Sequence, residues 1–188
     1  MQIVGHIKSK RYLTALVFQI FGWMKISTRH HLSLSWQQRL LDKYHQSWSS
    51  EIINTAKLEL YCSFREEFKF NKYLNVIKNE KHRTAYTQIV CSAHNLEIET
   101  GRRTNTLRNE GHCKLCKNKH VESEFHYILL CPAYLRMQFL PKYATSFPTK
   151  CKLSKLFKTN KSETIINISK YLYHASERRA QLYKEFNV

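Results

Sequence analysis

The sequence predicts an all-α fold, a small helical domain with a Cys-Cys-His-Cys zinc knuckle embedded in it. Three observations carry this expectation. Only four glycines and three prolines punctuate 188 residues, too few turn formers for an architecture of many short strands. Apolar residues recur at helical spacing in several stretches. Four metal-ligating side chains stand at zinc-site spacing between Cys113 and Cys131. With 43% hydrophobic and 13% aromatic residues, the composition is globular rather than disordered. A chain of this length buries roughly 70% of the surface its unfolded form exposes.

The apolar period places a first helix from near Lys8 to Met24. Ser35 reads as the cap of a second, whose Trp36, Leu40, Leu41, Tyr44 and Trp48 are expected in the core. A third stretch, Leu58 to Phe70, packs Leu58, Tyr61, Cys62, Phe64 and Phe68, and Asn71 caps a short helix bearing Tyr73, Leu74 and Ile77. From Lys81 to His94, Ala85, Tyr86, Ile89, Val90 and Ala93 form one apolar face. Beyond Gly101 the periodicity disappears, so residues 101–121 read as a loop. Glu122 to Leu130 then reads as a short helix, followed by another from Ala133 to Leu140 between Pro132 and Pro141. A last helix, Ser162 to about Phe186, lines up Ile165, Ile168, Leu172, Ala175 and Leu182. The expected organisation is a helical part over 1–100, a zinc-binding module over 101–145, and a C-terminal helical part over 146–188 packing on the same domain.

Cys113-Lys-Leu-Cys116 is followed by His126 and Cys131, giving C-x2-C-x9-H-x4-C. Two thiolates two residues apart fit a tight turn around a tetrahedral ion, and the second pair comes from a separate element. Soft sulfur with one imidazole selects zinc over magnesium or calcium, whose ions want oxygen. All four positions are filled by protein, so the single ion is expected to be structural. A straight helix would set His126 and Cys131 roughly 140° apart, so the helix must end before Cys131, as Pro132 dictates. His112 and His120 are alternatives to His126, but neither preserves a two-plus-two ligand arrangement.

The formal charge is +17, from 31 Lys and Arg against 14 acids, a field that favours nucleic acid first and anionic membrane second. Arg102, Arg103, Arg108, Lys114 and Lys117 crowd the first pair of cysteines and are the expected phosphate contacts. A second run, Lys142, Lys150, Lys152, Lys155, Lys158 and Lys161, contains no acid. Six cysteines in a long, core-rich chain are expected as reduced thiols. Lys8, Lys10 and Arg11 before the apolar run Tyr12 to Met24 imitate a leader. That run is too short to span a bilayer, Gln19 interrupts it, and no small-residue cleavage site follows. The chain is therefore expected inside the cell, in nucleus or cytoplasm, with no membrane and no small-molecule substrate as partner.

Asp42 is the only aspartate, whereas polymerases and many nucleases need clustered carboxylates for magnesium. Glu66/Glu67, Glu97/Glu99 and Glu122/Glu124 are the close pairs, expected on helix surface or behind the metal ligands. There is no glycine-rich phosphate loop, nucleophile elbow or metalloprotease helix. The chain is not expected to be an enzyme by itself.

Asn95-Leu-Glu-Ile-Glu-Thr-Gly-Arg102, Arg108-Asn-Glu-Gly-His-Cys-Lys-Leu-Cys116 and Val121-Glu-Ser-Glu-Phe-His-Tyr-Ile-Leu-Leu-Cys-Pro132 together resemble a known pattern. It is the C-terminal zinc-binding region of non-LTR (LINE-like) retrotransposon reverse transcriptases. The likeness covers roughly residues 12–179, and the Cys-Cys-His-Cys core is its most specific part. The resemblance implies a region downstream of a polymerase domain that helps hold template RNA or target DNA, and that can dock the polymerase. A zinc-stabilised protein-interaction module, or a remnant without present role, are the alternatives. Gln88, Val90 and Gly111 depart from arginines common in that pattern.

Overall fold

The computed structural model describes residues 34–186, apart from residues 66, 117, 118, 135–138, 142–145 and 147. The helix expected from Lys8 to Met24 lies outside the described residues. The chain divides into two compact units, residues 1–48 and 49–188, each taken by itself below.

In the first unit the described part is the start of α1 (Leu34–Asn54). Gln38 donates to Asp42 Oδ1 at 2.9 Å one turn on, and the Arg39 guanidinium lies 5.8 Å from the Trp36 ring centroid. The expectation of a core stripe is corrected at three of its five positions, because Trp36, Leu40 and Leu41 are 63%, 45% and 39% exposed, while Tyr44 and Trp48 are half-buried. Helical period decides which side chains share a face; it does not supply the surface that covers them.

In the second unit, Ile52 of the last turns of α1 is buried, and a 3-10 turn, Ala56–Leu58, leads into α2 (Glu59–Phe64). The helix expected to reach Phe70 stops at Phe64, where Arg65 turns extended. Asn71 precedes α3 (Lys72–Val76). Asn79 caps α4 (Glu80–Val90), its side chain accepting from His82 N at 3.2 Å. Ala85, Tyr86, Ile89 and Val90 form the buried face of that helix.

α4 ends at Val90 and not at His94, because Ser92 takes a left-handed conformation, φ 48°. Ser92 N then donates to Ile89 O at 3.2 Å and Ala93 N to Gln88 O at 2.7 Å, satisfying carbonyls that the helix end would orphan. The buried Ser92 hydroxyl donates to Glu124 Oε1 at 3.2 Å. His94 Nδ1 accepts from Leu96 N at 3.3 Å, which leaves Nε2 to donate to the same Glu124 oxygen at 3.0 Å. Burial pushes the Glu124 carboxyl up, but the bonds from His94 and Ser92 outweigh it and hold the group below its ordinary value.

Residues 101–103, expected in a loop, complete a short helix, α5 (Glu97–Arg103), whose Glu97 and Glu99 lie at its N-terminus and whose Arg102 and Arg103 lie at its C-terminus, complementing the helix dipole. α6 (Lys150–Lys158) is begun by Thr149, whose hydroxyl accepts from Lys152 N at 3.2 Å. α7 (Ser162–Glu185) buries Ile165, Ile168, Leu172, Ala175 and Leu182, as its period predicts. It packs on α4 and α3, while α6 packs on α2. Rings tie these layers together: Tyr73 to Tyr86 at 4.6 Å, Tyr86 to Phe157 at 5.4 Å and Phe64 stacked on Phe157 at 5.6 Å. Core residues from Leu60 to Ala175, including Cys113 and Cys131, form one cluster.

Ala133 and Tyr134 sit in a turn, while residues 135–138 of the helix expected there are outside the described ones. No strand occurs among the described residues, only an isolated antiparallel bridge, His112 to Val121. No helix among them is long and apolar enough to cross a membrane.

The depressed Glu124 carboxyl sets the sign of a pH effect. A carboxylate favoured by folding stabilises the protein above its unfolded value, about 4.3 for Glu, and that contribution fades as pH falls through the lower folded value. Glu124→Gln should cost about 2 kcal/mol near neutral pH, since hydrogen bonds to a charged group are lost. In urea titrations at matched metal, the gap between parent and variant should begin to narrow as pH falls below about 4.3 and close once pH lies below the lower folded value.

Candidate metal centre

The first two ligands come from a clasp that the backbone ties shut. Glu122 N donates to Gly111 O and Cys113 N to His120 O, each at 2.8 Å, on either side of the His112–Val121 bridge. Cys113 and Cys116 sit on the turn this closes, and Lys119, at φ 49°, returns the chain. Gly111 lies against the start of α5: a Cβ there would meet the backbone carbon and oxygen of Glu97 at 3.3 Å. A larger residue would therefore push the clasp and that helix a few tenths of an ångström apart.

The other two ligands come from an irregular turn. Ser123 Oγ accepts from His126 N at 3.3 Å and starts it. Glu124 and Phe125 are helical, and His126–Leu130 widens into a π-turn. Cys131 N donates to His126 O at 2.7 Å, the i to i+5 bond that brings residue 131 over residue 126. Cys131 itself is extended, with ψ 122°, ahead of Pro132. The helix ends before Cys131 as the sequence requires, and the π-turn supplies the alignment that a straight α-helix lacks.

The donor atoms of Cys113, Cys116, His126 and Cys131 all lie within 4.8 Å of one another. Cys113 Sγ is 4.0 Å from Cys131 Sγ, and Cys116 Sγ is 3.4 Å from His126 Nε2. Around a tetrahedral zinc, bonds of about 2.3 Å to sulfur and about 2.0 Å to nitrogen imply edges of roughly 3.8 Å and roughly 3.6 Å. The four residues thus fit one metal ion. His126 and Cys131 are 2% and 0% exposed, Cys113 is buried and Cys116 half-buried. His112 and His120 do not join the set. His126 Nδ1 is buried without a partner among the described residues, and the His120 ring lies 5.6 Å from the His126 ring. The facing sulfurs compete for one proton. Their mutual hydrogen bond, with burial, pushes Cys113 up to about 12, and the same bond lowers Cys131. A cation between them removes the conflict between two thiolates.

Comparison of the chain with protein-family models, with characterised proteins and with solved structures finds no match.

Two contacts that sequence reading missed hold the centre to α7. Glu122, expected on a helix surface or behind the ligands, is fully buried. Its carboxylate accepts from Arg179 Nε at 3.0 Å and Nη2 at 2.8 Å, and from Glu97 N at 2.9 Å. Tyr171 Oη lies 3.0 Å from Tyr127 O and 3.2 Å from Ile128 O, donating to carbonyls of the π-turn. Partners 57 and 44 residues apart leave no local spacing to read.

The expected phosphate contacts are engaged within the protein. Arg102 Nη1 is 3.4 Å from Glu99, and Lys114 Nζ is 3.3 Å from Glu97. Arg108 pairs with Glu59. Arg103 donates to the carbonyls of His94 and Glu99 and to Asn95 Oδ1, each at 3.3 Å. Lys117 lies outside the described residues.

Removing one partner of the buried Glu122–Arg179 pair strands the other, which costs about 3–5 kcal/mol. Arg179→Met is expected to lower stability by that amount in urea unfolding. It should also speed amide exchange at Cys113 and Glu122, whose N–H groups close the clasp. Unchanged stability would mean that the pair does not hold the centre to α7.

Proposed function

We propose that this chain is a zinc-stabilised, non-enzymatic helical domain that contacts nucleic-acid backbones. That is the role expected of the zinc-binding region downstream of a non-LTR retrotransposon polymerase. The observation that carries the reading is the convergence of three cysteines and one histidine on one buried point. Three soft donors and one imidazole suit zinc, and four protein ligands leave no position for a catalytic water, which gives the ion a structural role. The charge of +17 supplies attraction for a polyanion. Arg102, Arg108 and Lys114 are exposed members of their ion pairs. Arg108 and Glu59 are both exposed, a surface pair worth about 0–1 kcal/mol, so a phosphate can displace that carboxylate at little cost.

A second reading has its own observation. Trp36, Leu40 and Leu41 form an exposed apolar stripe on α1, as a module that docks another protein, such as a polymerase domain, would carry.

The two readings separate in a salt titration. Fluorescence anisotropy with a single-stranded RNA and a duplex DNA should show affinity falling linearly in log–log form. The slope is about −0.7 per phosphate contact for the single strand and about −0.9 for the duplex, with little dependence on base sequence. An interaction module without nucleic-acid affinity gives no binding at about 50 mM salt, and that outcome removes the nucleic-acid reading.

A further inference from the structure

The positive charge of this protein is segregated. Between Glu124 and Glu163 the sequence contains no Asp or Glu, and α6 lies in the second half of that interval. Leu153, Leu156 and Phe157 are 5%, 0% and 5% exposed. Together with the Phe157–Phe64 stack and the bond from Ser154 Oγ to Ser63 O, they fix which way the helix faces. At 100° per residue, Lys155 and Lys158 lie about 60° apart and each about 100° from the nearest of those buried positions, while Lys150 stands about 20° from Phe157 at the N-terminal edge of the helix beside α2, about 12 Å of axis from Lys158. All three are exposed.

Neighbouring elements extend the row at both ends. Lys150 Nζ lies 3.8 Å from Glu59, the carboxylate that also meets Arg108, so one acid faces two cations there. At the other end Lys72 Nζ donates to Asn160 O at 2.6 Å, and exposed Lys161 follows. Local helix physics explains only part of this placement. Cations in a last turn complement the helix dipole, which accounts for Lys155 and Lys158. Lys150 and Lys152 occupy the first turn, where positive charge is unfavourable and where no acid stands. Arg102 and Lys114 face buried or largely buried carboxylates, Glu99 and Glu97, and Arg103 donates to backbone carbonyls, whereas on the ridge the one paired carboxylate, Glu59, is itself exposed.

We propose that this ridge, running from Arg108 along Lys150, Lys155 and Lys158 to Lys72 and Lys161, is the main surface on which the chain holds a phosphate backbone. It reads no base sequence, because the side chains that carry it are cations on flexible stems, which contact phosphates rather than base edges. The proposal rests on the nucleic-acid reading above and names its surface.

The test is the salt titration repeated with Lys150→Gln/Lys155→Gln/Lys158→Gln, beside a control that removes three exposed charges elsewhere, Lys78→Gln/Lys81→Gln/Lys184→Gln. Circular dichroism establishes that both variants remain folded. The ridge variant should reduce the log–log slope by about 2 units on single-stranded RNA and about 3 on duplex DNA, one contact per lysine. The control should change it by less than one unit. Equal, small changes in both variants, with parent binding intact, overturn the ridge and leave the nucleic-acid reading standing. A parent chain that binds neither RNA nor DNA at low salt overturns both. Parent binding to phosphatidylserine vesicles with none to nucleic acid also overturns both.

Discussion

The convergence of three thiols and one imidazole within 4.8 Å is the constraint around which the rest of the centre is arranged. Two local irregularities are needed to achieve it. The clasp from Gly111 to Glu122 puts Cys113 and Cys116 on one turn. The π-turn from His126 to Leu130 puts Cys131 over His126. Neither is a low-energy choice for an isolated peptide: π-turns are rare, and a two-residue bridge has little pairing of its own. A metal ion binding the folded arrangement would add its binding free energy to that of folding, so a strained segment can persist where it coordinates.

The tertiary contacts repair what these irregularities disrupt. A π-turn redirects backbone carbonyls, and Tyr171 donates to two of them from the buried face of α7. The clasp brings Glu122 into a fully buried position, and Arg179 meets it with two hydrogen bonds while Glu97 N supplies a third. A buried carboxylate is tolerable only when its lone pairs are satisfied in this way. Arg179 in turn is 2.8 Å from Tyr183 Oη, and Tyr183 donates to Glu97. The centre, the start of α5 and the second half of α7 are thus one polar network laid over an apolar core. Such networks specify a single arrangement because partial satisfaction is costly.

What was legible in the sequence was what is local. The ligand spacing named all four converging residues, and Pro132 fixed where the turn had to end. The apolar period gave the buried faces of α4 and α7 correctly. Period alone failed where a single residue overrode it, as when the left-handed Ser92 closed α4 early. It also failed for α5, too short for a repeat to register, and for α6, where Leu153, Leu156 and Phe157 span barely one turn among five lysines in twelve residues. Exposure on α1 was illegible for another reason: an amphipathic stripe states a capacity for burial and not its fulfilment. Glu122 with Arg179 could not be paired from spacing at all, because only the folded chain brings them together.

For function, the site separates into a scaffold and a field. The scaffold is the ligand cluster with its support from α5 and α7; the field is the surplus of cations, many of them committed to carboxylates near the centre. The central claim concerns the scaffold, and the metal content of the purified, folded chain tests it most directly. Elemental analysis of the parent beside Cys131→Ser should find one zinc ion per parent chain and none retained by the variant. A parent that unfolds cooperatively yet carries no metal, or a variant that holds as much zinc as the parent, would contradict it.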